Sequence, residues 1–94
     1  MGSIKTPFVM IYTKDSHIMK GVREHLIKSG IPLSDVTEIS WKDAFHKFIG
    51  VVKEYAIPSM GWAGPYLFMK QKGSLVLVAR GGKAICAEKI QKPQ

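Results

Sequence analysis

The sequence predicts an α/β domain: a mixed four-stranded sheet with helices on both faces, in the order βαβαββ(α). Three observations lead there. The apolar run Phe8-Val9-Met10-Ile11-Tyr12 is continuous rather than alternating, as expected of a strand covered on both faces. Two helical patterns then separate the extended segments. Finally, Gln71-Lys72-Gly73 lies between two apolar runs and reads as a hairpin turn. Strands joined by a helical crossover should be parallel, and strands joined by a tight hairpin antiparallel.

Strand one is expected over 8–13. Helix one should begin near Asp15 or Ser16, either of which can cap exposed N–H groups, and should end near Ser29. Gly30 suits the left-handed position after a helix, and Pro32 follows it. Ile18, Val22, Leu26 and Ser29 form the stripe expected to face the core. Strand two is short, 35–39. Ser40-Trp41-Lys42-Asp43 resembles a capping arrangement that opens helix two, with Trp41, Ala44, Phe45, Phe48, Val52 and Tyr55 as its buried stripe. His46 falls beside that stripe, at the surface or its boundary. Pro58, Gly61 and Gly64 end the helix in a loop. Strands three and four are expected over 66–70 and 74–79. Residues 83–91 are too few to type, although Ala84, Ile85, Ala87 and Ile90 suit a last half-buried helix. Residues 1–6 and 91–94 are expected to be loose ends of a single domain, 1–94.

At 94 residues and 46% hydrophobic, the chain has apolar material for one core. No apolar run approaches the roughly 20 residues of a membrane span, and the first apolar run is too short for a signal peptide. A cytoplasmic location is the expectation. Gly2 and Thr6 fit the loose N-myristoylation pattern, but Met-Gly-Ser is also a common cloning remnant, and lipidation is not expected. The single cysteine, Cys86, excludes an internal disulfide and reads as a small buried hydrophobe. His17, His25 and His46 do not make a metal site: the first two are eight apart on one helix, about 12 Å by rise.

The net charge of +7 is uneven. Residues 70–94 carry Lys70, Lys72, Arg80, Lys83, Lys89 and Lys92 against Glu88 alone. This basic end is a candidate surface for nucleic acid or another anionic partner, and otherwise a solubilising face.

Tyr12-Thr13-Lys14 leads from the first strand toward the first helix, where a glutaredoxin carries Tyr-Ser/Thr-Lys-x-x-Cys-Pro-Tyr-Cys. The chain resembles that family over most of 7–82. Gly64-Pro65-Tyr66-Leu67-Phe68 is similar to the family's Thr-Val-Pro-x-Val/Ile-Phe segment, and Gly81-Gly82 to its glycine pair. The stretch from Pro65 to Gly81 is longer than the family's hairpin, and Lys83 stands where an acidic residue commonly follows. The resemblance implies a thioredoxin-like fold, favoured over a ferredoxin-like βαββαβ sheet because the second helix separates strands two and three. It also implies a cis bond before Pro65, close to the start of helix one near His17.

His17 and Lys20 occupy the two cysteine positions. Thiol–disulfide exchange needs a thiolate, so no enzymatic activity is expected. The resemblance then implies a redox-inactive accessory domain, of a kind found among other places in viral and phage genomes. It would bind a protein partner through the former redox groove: Tyr12, Lys14, His17, Lys20, Trp62, Gly64 and Pro65. Trp62, in a Gly-rich loop, is either a binding anchor or a cover for helix two. A small anion cup of Lys14, Lys20 and helix N–H groups is a second reading. In it Lys14 and Gly64 would hold glutathione without catalysis, although Lys83 would repel the tripeptide's ammonium. Otherwise no cofactor is expected.

Overall fold

Strand β1 (Phe8–Tyr12) runs through the centre of the molecule with all five residues buried. The computed structural model describes residues 4–91. Beside β1 lie β2 (Val36–Ser40), parallel to it, and β3 (Tyr66–Gln71), antiparallel. Strand β4 (Ser74–Arg80) pairs antiparallel with β3, so the sheet order is β2-β1-β3-β4. Helices α1 (His17–Lys28), α2 (Phe45–Glu54) and α3 (Gly82–Ala87) complete the mixed α/β architecture.

The alternation of side chains along β1 divides the core. Phe8, Met10 and Tyr12 join Met19, Val22 and Leu26 of α1 and Ile85 of α3. Val9 and Ile11 join Phe48 and Val51 of α2 with Tyr66 and Phe68 of β3. Helices therefore cover both faces, α1 and α3 on one and α2 on the other. The last segment is a helix, with Ile85 and Ile90 buried but Ala84 and Ala87 exposed.

Helix α1 ends as expected. Gly30 has φ +85°, its N–H donates to Ile27, and the Ile31 N–H donates to Leu26. This is the paired closure of a Schellman motif, with Leu26 and Ile31 both buried. The helix start differs. Ser16 makes no side-chain cap; instead the Asp15 carboxylate accepts the Ser16 N–H at 2.9 Å.

Val22 and Leu26 of α1 and Phe48 of α2 are buried as expected, but each stripe departs at its N-terminal end. Met19, not Ile18, is buried on α1, and Ile18 is 50% exposed. On α2, Phe48 and Val51 are buried while Phe45 is 54% exposed. The second shift follows from a later start. Ser40 and Asp43 do interact, with Ser40 Oγ 3.0 Å from an Asp43 carboxylate oxygen, but they close a turn ahead of the helix. Residues 41–44 therefore never enter the helical register. Asp35 lies in a 3-10 turn (Leu33–Asp35) rather than in β2.

The loose-end expectation fails at residues 4–6. Ile4 is buried, its carbonyl accepts a 2.6 Å bond from Lys70 Nζ, and Thr6 Oγ1 lies 2.6 Å from Thr37 Oγ1. Gly2 and Lys92 fall outside the described residues. Cys86 is exposed, not a core hydrophobe. Between β3 and β4, Lys72 and Gly73 form a two-residue turn with φ +51° and +82°, the positive pair that a type I′ hairpin requires. Among the described residues no helix is long and apolar enough to cross a membrane.

Arg23 ties the start of α1 to β2. Its guanidinium holds Glu38 through two nitrogens, at 2.8 and 3.0 Å, and Asp15 through the third at 2.9 Å. Tyr12 Oη donates to Glu38 at 3.3 Å. Hydrogen bonding to Arg23 holds the exposed Asp15 carboxyl below its ordinary 3.8. Because that pKa is lowered by folding, its stabilising contribution is present above the ordinary value and is lost as pH falls through the lowered one. Arg23→Ala is expected to cost about 1–2 kcal/mol, since it breaks the part-buried charge-assisted bonds to Glu38. Urea denaturation measures the cost. A carboxyl-carbon NMR titration of the variant should move Asp15 back up toward its usual value.

Candidate binding site

The segment that leaves β1 and the loop that enters β3 meet beside the first turn of α1. There Tyr12, Lys14, Ile18, Met19, Gly64 and Pro65 line a cavity of about 230 Å³ that presents mainly carbon. Their approach follows from pairing further along the strands. The Trp41 N–H donates to the Tyr12 carbonyl, and Ser40 Oγ to the Thr13 carbonyl, so the chain beyond β1 is held in place. Thr13 Oγ1 in turn donates to the Trp62 carbonyl at 3.2 Å, fixing the loop before Gly64. On the other side of Ile18 a second hollow, about 410 Å³, is bordered by Gly82, Lys83 and Cys86. The Gly81 N–H donates to the Pro65 carbonyl at 2.7 Å, which joins α3 to the same region. The two hollows are distinct but share Ile18 in their linings.

The predicted set is thus brought together only in part. Tyr12, Lys14, Gly64 and Pro65 converge, but His17 and Lys20 do not join them. They lie with Asp15 and Arg23 around a separate, open hollow. The physical cause is the register of α1. Its buried stripe is Met19, Val22 and Leu26, and at 100° per residue positions 17 and 20 point elsewhere. Lys14 and Lys20, expected to share an anion cup, line different hollows. No cis peptide occurs among the described residues, so the bond before Pro65 is trans, contrary to expectation. The Gly64-Pro65 bend shares its cavity with Ile18 and Met19 rather than with His17.

Trp62 folds back onto the core. Its ring lies 5.2 Å from Phe48 in an edge-on contact and 4.9 Å from Tyr66. Its carbonyl also accepts the Trp41 indole N–H at 3.1 Å. With φ +54°, the residue sits in a conformation that side chains rarely adopt, and the two donors on its carbonyl hold it there. Trp62 therefore covers α2, the second of its two expected roles. Ile18 is the site residue that the sequence pattern missed, because it had been assigned to the buried stripe.

Among the described residues the basic side chains of the C-terminal part are spread along the hairpin and α3. Lys70 is tied to Ile4, Lys72 sits at the hairpin tip, and Arg80 ends β4 at the other extreme. Six residue steps separate the ends of β4, roughly 20 Å. Lys83 and Lys89 are exposed on and after α3. Among the described residues no group of His, Cys, Asp and Glu is placed to hold a metal ion.

Trp62→Ala is expected to reduce folding stability by about 2–4 kcal/mol, the scale of a large aromatic removed from a packed cluster. Phe45→Ala, at a half-exposed ring, should cost less than about 1 kcal/mol. Denaturant titration of both variants separates a core Trp62 from a surface one, since comparable small losses would contradict the packing described. No family model, curated protein or solved structure matches the chain.

Proposed function

We propose that this is a redox-inactive, glutaredoxin-like domain of thioredoxin-like fold that binds a protein partner in the groove beside Ile18. The observation that carries the reading is the convergence of Tyr12, Lys14, Gly64 and Pro65 on one carbon-lined cavity with a half-exposed isoleucine at its rim. Ile18 is an apolar anchor that water does not favour, at the head of a helix that Arg23 ties to Glu38 of β2. The strand directions and the helices on both sheet faces support the fold assignment. Of the three segments behind the resemblance, Gly64-Pro65 has a trans bond, which counts against glutaredoxin descent. Tyr12-Thr13-Lys14 and Gly81-Gly82 still flank the groove. His17 and Lys20 offer no thiolate, which supports binding rather than catalysis.

A second reading follows from the position of Lys14 beside Gly64: a small anionic ligand, glutathione among them, held without chemistry. Lys83 borders the adjoining hollow and opposes a ligand ammonium there. Nucleic-acid binding has less support, because Lys72 and Arg80 lie at opposite ends of β4.

The test is affinity capture from the source cell, followed by calorimetry on the protein captured. Ile18→Glu should weaken binding about 30-fold or more, equivalent to about 2 kcal/mol, the scale of an interface anchor. Lys89→Ala should leave affinity within about two-fold, since an exposed charge chiefly steers encounter. Ile18 is half exposed, so the fold should survive, and circular dichroism checks it. Normal binding by folded Ile18→Glu would remove the groove from consideration. Millimolar glutathione binding that vanishes in Lys14→Ala would favour the small-ligand reading instead.

A further inference from the structure

We propose that the outer edge of β4 receives an extended, apolar peptide segment of a partner protein, flanked by acidic residues, which adds to the sheet as a fifth strand. Among the described residues β4 is bonded to β3 alone, so its other edge presents backbone N–H and C=O groups. Natural edges are usually blunted by charge, proline or brevity. From Ser74 to Ala79 the strand carries neither charge nor proline, and Val76 and Leu77 are 43% and 38% exposed. The opposite edge makes the contrast. Strand β2 has five residues and includes Glu38, occupied by Arg23.

Val76 and Leu77, neighbours along the strand, point to opposite faces of the sheet, so an added strand would meet apolar surface on both. Leu75 packs into the α2 cluster and Val78 into the α1 cluster, anchoring the edge to the core. An irregularity in the ladder with β3, where Val78 has no partner, leaves Ser74–Leu77 as the regular stretch available for pairing. Strand addition draws affinity from main-chain bonds and selectivity from alternate side chains.

Charge selects the occupant. No Asp or Glu occurs between Tyr55 and Ala87. Lys72 stands at one end of β4, and Arg80 with Lys83 at the other. A second copy placed antiparallel would bring Arg80 and Lys83 toward the partner's Lys72. Placed parallel, it would bring Arg80 beside Arg80. Like charges oppose both arrangements, whereas a segment with an apolar centre and an acidic residue at each end satisfies both ends.

The probe is an acetylated, amidated nonapeptide, Glu-Asp-Val-Thr-Val-Thr-Val-Asp-Glu, titrated into the ¹⁵N-labelled full chain. Amide shifts should concentrate on residues 74–77, and a version with lysines for its four acids should bind at least ten-fold more weakly. Because alternate N–H groups of an added strand face the sheet, N-methylation of either the valines or the threonines should abolish binding. The other pattern should preserve it, and this comparison leaves the protein unchanged. Val76→Lys should also weaken binding at least ten-fold with an unaltered circular dichroism spectrum. The proposal is overturned if both methylated peptides bind like the parent, or if the lysine version binds equally well. It is likewise overturned if no peptide binds at millimolar concentration, or if the shifts map beside Ile18. A dimer by sedimentation without peptide that Val76→Lys dissociates would assign the edge to a second copy and overturn the proposal.

Discussion

Burial of β1 on both faces is the constraint from which the rest of the architecture follows. A strand of five buried residues leaves no solvent side. Each face must be covered by separate elements, and each edge must be paired to satisfy its backbone. The parallel neighbour β2 is reached through α1, which places that helix on the Phe8–Met10–Tyr12 face. The antiparallel neighbour β3 is reached after α2, which covers Val9 and Ile11. Even the extension of β1 is held, by Trp41 and Ser40 bonding to the carbonyls of Tyr12 and Thr13. The groove lies where this pairing runs out, between the end of β1 and the bend that leads into β3.

Features encoded by local chemistry were legible. The continuous run at 8–12, the Gly30 helix ending and the Lys72-Gly73 turn each depend on a few adjacent residues. Helix registers were not legible to the residue. Ile18 and Met19 are both apolar, and tertiary packing against Phe8 and Met10 decides which one turns inward. On α2 the Ser40–Asp43 pair closed a turn rather than a cap, which displaced the start and exposed Phe45. The site suffered from the same ambiguity. A one-residue choice on α1 moved Ile18 to the groove, while His17 and Lys20 joined Asp15. Trp62 could be read either way because a Gly-rich loop specifies mobility of path, not destination. Its destination came from partners far away in sequence, Thr13 and Trp41.

The Arg23 network and the groove occupy neighbouring sides of the same helix start. Arg23 connects Asp15, ahead of the helix, to Glu38 on β2, and Glu38 also receives Tyr12 Oη. Burial is the main cause that raises the Tyr12 phenol's pKa, with Glu38 adding to it, so the ring stays neutral in ordinary conditions. The groove wall is therefore supported from behind by an ionic lattice that itself takes no part in lining it, apart from Tyr12.

Gly82 packs so closely under α1 that a β-carbon there would lie 2.7 Å from the Ile18 Cγ2 methyl. That methyl is set by χ1, and a β-branched side chain in a helix has essentially one comfortable χ1. A β-carbon at 82 therefore requires the Ile18 side chain to shift. Substitutions at 18 and 82 are thus expected to be non-additive, because the two side chains would compete for one space. A larger residue at 82 is easier to admit once 18 has shrunk, and an enlarged 18 while 82 stays bare. The volume available at 18 and 82 is shared, and what one position takes the other must give up.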